Sequence, residues 1–211
     1  MTKPQLILIG AGGHARSCID VIEEQDYFKI AGLVGLPEQK GAQQLDFGYA
    51  LIGTDSDLSG LAKTHQYALI TIGQIKTAEQ RMRLYKQAVA LGFQLPIVIA
   101  PTAYVSRHAT LGAGTVVMHG AIVNAGANIG NNCIINSRSL IEHDARVEDH
   151  CHISTGAILN GNVVVGTGSF IGSGSVIKQG ITIGRCCLIG MGAQIRYDLK
   201  DCAQLTGHEN L

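Results

Sequence analysis

The second half of the chain repeats an aliphatic residue at every sixth position. From Ile99 to Ile195, seventeen successive positions spaced six apart are all Val, Ile or Leu. From residue 103 onward, the side chain two positions before each aliphatic is small, except at Val163 and Ile181. Because side chains two apart in an extended strand point to the same side, both positions face inward. A turn in every six residues closes three walls, which predicts a parallel β-helix of hexapeptide repeats with coils of about eighteen residues.

The composition of this region agrees with a narrow interior, and we assign the β-helix to residues 97–211. All four Pro residues lie at or before Pro101, and Phe170 is the only aromatic residue between Val105 and Ile195. A slim column has no space for aromatic side chains, and Pro would remove an N–H group from the strand ladder. Glycines that directly follow the aliphatic are expected to supply the unusual backbone angles of tight corners. These glycines are at positions 112, 130, 166, 172, 184 and 190.

Residues 1–96 alternate between short apolar runs and amphipathic stretches. The predicted strands cover residues 5–10, 29–35, 49–54 and 67–73, and the predicted helices cover residues 14–24, 55–65 and 78–91. Strands that alternate with helices form a parallel sheet with helices on both faces. The N-terminal half is therefore predicted to be a doubly wound, Rossmann-like α/β domain.

Composition and charge exclude several classes of function. The formal net charge is +0, with 16 basic and 16 acidic residues, which argues against a general nucleic-acid binder. Two uncharged stretches, residues 108–137 and 151–177, are interrupted too often by Asn, Ser, Thr and Gly to span a membrane. The six Cys residues have neither CxxC spacing nor the density of a secreted disulfide scaffold. This pattern predicts that the protein is located in the reducing cytoplasm. No cysteine nucleophile is assigned.

A glycine-rich loop joins the first strand to the first helix. Gly10, Gly12 and Ala15 match the GxGxxG/A fingerprint, in which backbone N–H groups and a helix N-terminus meet a phosphate. A nicotinamide site would place an acidic residue at the end of the second strand, but residues 32–35 are Gly-Leu-Val-Gly. A phosphate-bearing sugar is therefore favoured over NAD, and a purely structural loop stays open. Gly12, Gly13 and His14 are the candidate substrate-binding residues of this loop.

Five of the eight His residues lie between His108 and His152, so metal binding is an alternative. Residues eighteen apart stack in neighbouring coils, and none of the five histidines has another at that spacing. We predict no metal site within one chain. A site between subunits, as in γ-class carbonic anhydrases, would make the protein a metal-dependent lyase, but the histidine pair five apart that is typical of that family is absent. A non-catalytic nucleotide-sugar binding protein is a second alternative.

The segment NSRSLIEHDARVEDHCHISTGAILNGN, residues 136–162, resembles bacterial sugar acetyltransferases of the UDP-bacillosamine N-acetyltransferase and sialic acid O-acetyltransferase type. The pattern consists of Asn136, His143 with Asp144, His152, and Gly161 followed by Asn. The GAGGHAR loop and the order of domains also resemble this family. The resemblance implies a Rossmann-like domain followed by a left-handed β-helix. It also implies acetyl-CoA-dependent acetylation of an amine, or less often a hydroxyl, of a sugar in bacterial surface-glycan biosynthesis.

The residue types in this segment suit direct acetyl transfer without a covalent intermediate. His143 follows Ile141 by two positions and therefore stands at an outward corner, where it is the predicted general base. Asp144 can orient the imidazole and favour its protonated form. Gly161 lies one coil beyond His143, and its N–H group can stabilise the thioester oxygen as negative charge develops.

Further site residues are assigned with less chemical detail. Asn136 is a predicted substrate-binding residue and His152 a predicted cofactor-binding residue, each through a hydrogen bond. By resemblance, Gly172 and Ser173 offer backbone contacts to the pantetheine arm of CoA. The candidate partners for phosphate groups are Lys178, Arg185 and Arg196.

The resemblance also implies a homotrimer. A convex β-helix wall cannot enclose a ligand alone, so the active site is expected between subunits. Where many relatives have acidic residues at the end of the second strand, this chain has Gly35 and Leu36. A sugar without a nucleotide therefore stays open as substrate.

Overall fold

The computed structural model describes residues 3–39 and 46–205. Residues 1–2 and 206–211, at the outer ends of the two predicted domains, and segment 40–45 lie outside the described residues. The predicted fold class is confirmed, because an α/β domain precedes a left-handed parallel β-helix. The domain boundary at residues 96 and 97 stays a prediction, and the first β-helix strand begins at Val98. No helix within the two described ranges is long and apolar enough to cross a lipid bilayer.

The N-terminal domain contains a four-stranded parallel sheet with the order β3-β2-β1-β4. Its strands are β1 Gln5–Ile9, β2 Lys29–Gly35, β3 Leu51–Thr54 and β4 Tyr67–Ile70. Ile9 pairs with Val34 on one side and with Ile70 on the other. The carboxyl ends of these strands therefore share one edge, which is where parallel sheets bind ligands.

Helices cover both faces of the sheet, as the doubly wound prediction requires. Helix α1, Gly13–Gln25, packs on the face that carries Leu6 and Leu8. Helix α3, Glu79–Ala90, packs on the opposite face with Ile7. The alternation of inward side chains along β1 thus supplies an apolar core to each face.

The predicted helix over residues 55–65 is present only in part. A 3-10 turn at Asp55–Asp57 is followed by a single helical turn, α2, at Leu58–Leu61. Thr54 and Asp57 form a capping box at the start of this turn. Ser59 and Gly60 are poor helix formers, so little favours a longer helix. Two other 3-10 turns are Pro37–Gln39 and Asp46–Gly48.

The β-helix has three faces of two-residue parallel strands, which we name by what lies outside them. The covered face contains β5 Val98–Ile99, β8 Val116–Val117, β11 Ile134–Ile135, β14 His152–Ile153, β17 Phe170–Ile171, β20 Leu188–Ile189 and β22 Gln204–Leu205. The apolar face contains β6 Tyr104–Val105, β9 Ile122–Val123, β12 Leu140–Ile141, β15 Ile158–Leu159, β18 Val176–Ile177 and β21 Gln194–Ile195. The polar face contains β7 Thr110–Leu111, β10 Asn128–Ile129, β13 Arg146–Val147, β16 Val164–Val165 and β19 Thr182–Ile183.

The aliphatic repeat fills the interior of the column, as predicted. Ile135 pairs with Ile153, which pairs with Ile171, and all three side chains are fully buried. The small inward positions are also buried, including Cys133 and Cys151. Burial of one branched aliphatic per face and coil supplies the hydrophobic stabilisation of this domain.

The glycines that follow the aliphatic residue do not have the role predicted for them. The left-handed backbone angles occur two residues later, at the third position after the aliphatic, as in Gly114 and Asp144. The glycines at the first position instead allow neighbouring coils to approach. A Cβ atom on Gly166 would lie 2.7 Å from the backbone nitrogen of Arg185 in the next coil. Close stacking of the coils, not corner geometry, therefore requires glycine there.

The N-terminal domain rests on the covered face. Val98, Val116 and Met118 share one apolar core with Leu6 and helix α1. This shared core places the ligand-binding edge of the sheet over the strand that carries His152.

Candidate active site

Several of the predicted site residues lie at two corners of the β-helix. The first corner, between the covered and apolar faces, carries Asn136, Gly172 and Ser173. The second corner, between the apolar and polar faces, carries His143 and Gly161. The width of the apolar face separates the two corners.

At the second corner, His143 and Asp144 form an exposed pair. The Nδ1 atom of His143 lies 3.0 Å from Oδ2 of Asp144, and about half of each side chain is exposed. Asp144 has a φ of 59°, which turns the chain so that its carboxylate lies beside the ring. In the neutral form of the ring, donation from Nδ1 to this carboxylate leaves the lone pair on the opposite nitrogen, Nε2.

Gly161 lies directly against the His143 ring. A Cβ atom at Gly161 would be 2.7 Å from Cε1 and from Nε2 of His143. The N–H group of Gly161 donates to no group among the described residues, whereas the corresponding N–H groups of Asn131 and Thr167 donate to Asp149 and Glu148. The corner thus brings an imidazole nitrogen and a free backbone donor together.

Glu142 is a residue of this corner that the sequence analysis missed. Its Oε2 atom accepts hydrogen bonds from Nδ2 of Asn124 at 3.0 Å and from the backbone nitrogen of His143 at 3.3 Å. These contacts tie the turn before His143 to the preceding coil. Its position directly before the histidine was the available signal.

The first corner adjoins a cleft between the two domains. A cavity of about 390 Å³ is lined by the glycine loop, the β4–α3 loop and the covered face. Its lining includes Gly12, Gly13 and His14 from one side and His152 from the other. The ring centres of His14 and His152 are 6.4 Å apart. The structure therefore groups His152 with the predicted substrate-binding residues rather than with Gly172 and Ser173.

Hydrogen bonds define the tautomer of His152. Its Nδ1 atom donates to the backbone oxygen of Gln74 at 2.8 Å, and its Nε2 atom accepts from Nδ2 of Asn136 at 3.2 Å. The pKa of His152 is lowered to about 4, chiefly by burial and to a smaller extent by the nearby Arg81, against the hydrogen bond to Gln74, which raises it. His152 is therefore a neutral acceptor at neutral pH.

His14 is also held neutral. Its pKa is lowered to about 3, chiefly by burial, with smaller contributions from protonated His152 and from Arg81. Nε2 of His14 lies 3.5 Å from the Cys18 thiol, and burial raises the pKa of that thiol to about 12, so it keeps its proton at neutral pH. The cleft therefore contains a second neutral imidazole beside that of His152.

A second cavity, of about 210 Å³, continues from the glycine loop to the end of β2. Both cavities are lined by Gly12, where α1 begins without a side-chain cap. Leu36 donates its N–H group to Oε1 of Gln39, and Nε2 of Gln39 donates to the backbone oxygen of Ala11. Beside Gly35 and Leu36, a neutral amide therefore bridges the glycine loop and the segment that follows β2.

The candidate phosphate partners separate into two places. Lys178 and Arg196 line one concavity of about 530 Å³ together with Asn160, at the second corner and beyond Gly161. Arg185 lies on the corner between the polar and covered faces and does not line this concavity. At the first corner, the hydroxyl groups of Ser154 and Ser173 are 2.9 Å apart.

Within the described ranges, no group of three or more His, Cys, Asp or Glu residues is arranged to hold a metal ion. The metal-dependent alternative therefore gains no support from the fold of one chain.

The outward side chains of the apolar face form a stripe between the two corners. Tyr104 is 58% exposed and Ile122 is 40% exposed, and Leu140, Ile158 and Val176 continue the stripe with partly exposed side chains. Contiguous apolar surface of this kind marks an interaction site.

Comparisons with known proteins agree with this geometry. Residues 5–87 match the family model of the PglD N-terminal domain, and residues 144–179 match that of the bacterial transferase hexapeptide repeats. A search of curated protein sequences finds no match.

Several solved structures resemble the whole chain. One of them is a histidine-to-asparagine variant of perosamine N-acetyltransferase from Caulobacter crescentus, solved in complex with CoA and GDP-perosamine. It is 30% identical in sequence with a TM-score of 0.90, and the match covers 99% of this chain and 96% of that chain. The acetyltransferase domain of PglB from Neisseria gonorrhoeae FA1090, in complex with acetyl coenzyme A, is 32% identical with a TM-score of 0.87, covering 98% and 97%. WeeI from Acinetobacter baumannii AYE, at 19% identity and a TM-score of 0.79 over 97% and 98%, shares the fold.

Identity at this level over nearly the full length of both chains, together with the two family matches, confirms the resemblance that the His143 segment indicated. The chain belongs to the family of hexapeptide-repeat sugar acetyltransferases with a PglD-type N-terminal domain.

Proposed function

We propose that the protein transfers the acetyl group of acetyl-CoA to the amino group of a nucleotide-linked amino sugar. The observation that carries this proposal is the exposed His143–Asp144 pair, in a chain that resembles an enzyme solved with CoA and GDP-perosamine over nearly its full length. The sequence resemblance supports a role in surface-glycan biosynthesis. The six Cys residues, free where the structure describes them, fit a cytoplasmic enzyme.

The acceptor binds in the cleft between the domains. The 210 Å³ cavity at the end of β2 takes the nucleoside end, and the uncapped N-terminus of α1 at Gly12 and Gly13 faces the phosphates. The sugar then extends into the 390 Å³ cavity, where His14 offers a neutral imidazole. Both ring nitrogens of His152 are engaged, so His152 holds Asn136, whose second amide N–H group is left for the sugar. Gly12 and Ile72 line both cavities, and this proximity supports one extended ligand.

Acetyl transfer follows from the chemistry of the second corner. The sugar amine attacks the thioester carbonyl carbon, a C–N bond forms, and the amine proton moves to Nε2 of His143. Asp144 accepts the Nδ1 proton in a hydrogen bond and stabilises the imidazolium. The C–S bond then breaks, and the imidazolium returns its proton to the CoA thiolate. The free N–H group of Gly161 is placed to stabilise the oxyanion that forms between these steps.

A homotrimer completes the site. Within one chain, the base at the second corner and the acceptor cleft at the first corner lie on opposite sides of the apolar face. Three columns packed about a threefold axis, with their apolar faces inward, bury the stripe of Tyr104 and Ile122. This packing also brings the second corner of one subunit next to the first corner of its neighbour.

CoA lies in the groove between two subunits. At the first corner, the exposed Ser173 supplies the backbone contact to the pantetheine arm, whereas Gly172 is buried and its N–H group donates to Ile189. Lys178 and Arg196 at the second corner supply the charges for its phosphates. Both groups lie beyond the coil of His143, which agrees with a cosubstrate that runs along the column.

The direct test is acetylation of a substrate panel. The protein is incubated with acetyl-CoA and UDP- or GDP-linked amino sugars, free amino sugars and sialic acids, and mass spectrometry detects the gain of one acetyl group. A nucleotide-linked amine is expected to react, whereas acetylation of a hydroxyl or of a free sugar would contradict the assigned acceptor. Absence of CoA binding to an intact oligomer would instead favour a non-catalytic sugar-binding protein.

The base is tested by His143→Ala. Acetyl transfer should fall by about 100-fold or more while CoA affinity and oligomeric state stay unchanged. The matched control is His108→Ala, which removes an exposed imidazole at the same corner two coils earlier. Undiminished turnover in the His143 variant would remove it from the mechanism.

A further inference from the structure

The loop between β4 and α3 is fastened to the β-helix by one buried side chain, Gln74. This residue is 3% exposed. Its Nε2 atom donates to the backbone oxygen of Gly168 at 2.9 Å, and its Oε1 atom accepts from Nη1 of Arg81 at 2.9 Å. Its backbone oxygen accepts the Nδ1 proton of His152. Gln74 thus joins one loop, one helix and two coils.

Arg81 supports Gln74 from behind. It is 1% exposed, and its Nη2 atom donates to the backbone oxygen of Asn132. Burial lowers the pKa of Arg81 to about 10, so it remains a cation at neutral pH. No carboxylate among the described residues forms an ion pair with it. A buried cation held only by neutral oxygens is costly, which makes a role limited to packing a poor explanation.

The hydrogen bonds continue from Gln74 to the acceptor cleft. His152 can donate to Gln74 only through Nδ1, so Nε2 must accept, and it accepts from Asn136. The Oδ1 atom of Asn136 accepts from the backbone nitrogen of Ser137 at 2.8 Å. The orientation of the Asn136 amide is therefore determined at both ends, and its second N–H group is left for a ligand.

We propose that Gln74, held by Arg81, is a positioning residue for acetyl transfer, because it fixes the tautomer and orientation of His152 and, through it, the amide of Asn136. The inference rests on the proposed function, since it assigns the acceptor sugar to this cleft. Gln74 touches no reacting atom. Its effect reaches the acceptor through His152 and Asn136, as outer hydrogen-bond partners of a histidine do in other sites.

The experiment compares Gln74→Ala and Arg81→Lys with wild type and with Gln66→Ala, which removes an exposed Gln outside the cleft. Arg81→Lys retains the charge but loses the fork that reaches both Gln74 and Asn132. Nitrogen-15 NMR of labelled histidines reports the His152 tautomer, and steady-state kinetics reports kcat/KM for the acceptor. Thermal unfolding shows that each variant is folded.

Wild type and Gln66→Ala should show a single His152 tautomer with the proton on Nδ1. Ala keeps the backbone oxygen of residue 74, but the loop that presents this oxygen loses its side-chain anchor to Gly168 and Arg81. Both Gln74→Ala and Arg81→Lys should therefore show a mixture of the two neutral tautomers. Their kcat/KM for the acceptor should fall by about tenfold, with the KM for acetyl-CoA changed by less than about twofold. A single Nδ1-protonated tautomer in both folded variants, or wild-type kcat/KM in both, would overturn the proposal.

The NMR measurement needs no turnover, so it separates this inference from the proposed function. If wild type acetylates no sugar but the tautomer changes as expected, the proposed function fails and the positioning of His152 stands. If wild type is active and the tautomer is the same in all four proteins, only the positioning role fails.

Discussion

Replacing Gly161 with Ala adds one methyl group against the ring of the proposed base. The new Cβ atom would lie 2.7 Å from Cε1 and Nε2 of His143. Ordinary contacts between such atoms are about 3.5 Å or more, so the ring must retreat by about 1 Å. Because about half of the His143 side chain is exposed, the ring can swing towards solvent without disturbing the coil.

The effects on rate and on stability should therefore differ. A displacement of about 1 Å from the productive geometry lowers the rate by about 100-fold. The cost to the free energy of unfolding should stay within about 1 kcal/mol, because no buried group moves and Gly161 has no left-handed backbone angle. Ala keeps the backbone N–H group, so the proposed oxyanion donor is retained.

The assay is the release of the CoA thiol under steady-state conditions, with thermal unfolding in parallel. Gly60→Ala is the matched control, because a Cβ atom there meets nothing within 4 Å. In a double variant with His143→Ala, the Gly161 substitution should have little further effect, since the displaced ring is already absent. Full activity of Gly161→Ala would refute the argument that the reaction needs the imidazole over this glycine.

Three further predictions concern stability. Gly166→Ala should lower the free energy of unfolding by at least about 2 kcal/mol, because its Cβ would meet the backbone of the next coil at 2.7 Å; an unchanged thermal midpoint would contradict the stacking role. Ile153→Asp should unfold the β-helix by burying an unpaired charge in the column. A circular dichroism spectrum identical to that of wild type would refute the inward assignment of this side chain. The free energy of unfolding should decrease as pH falls from about 6.5 to about 4, because the unfolded chain binds protons at His14 and His152 that the folded protein excludes. When the thermal midpoint is measured against pH, it should change less for His14→Gln than for wild type.

The β-helix could be predicted because its rule is local. Each coil uses the same six-residue pattern three times. The nearest neighbours in sequence therefore predict whether a side chain such as Ile153 points inward. The outward position of His143 follows from the same period. The role of the corner glycines was misread because the contact that requires Gly166 comes from Arg185 in the next coil.

The N-terminal domain shows the limit of local patterns. The strands and two long helices have apolar periodicity and were predicted close to their observed bounds. The segment 55–65 has enough apolar residues to suggest a helix, but the capping box at Thr54 and Asp57 starts only a 3-10 turn and one helical turn. Weak helix formers within it decided the outcome.

By itself, the sequence determined the column, the direction of each repeat side chain and the identity of the exposed His143–Asp144 pair, because these depend on residues adjacent in the chain. Only the tertiary structure decided that His152 belongs to the interdomain cleft, since its hydrogen-bond partner Gln74 is 78 residues away in sequence. The same holds for Arg81 beneath Asn132, 51 residues apart. Packing of the sheet edge on the covered face creates these contacts, and no periodicity within either domain encodes which side chains meet there.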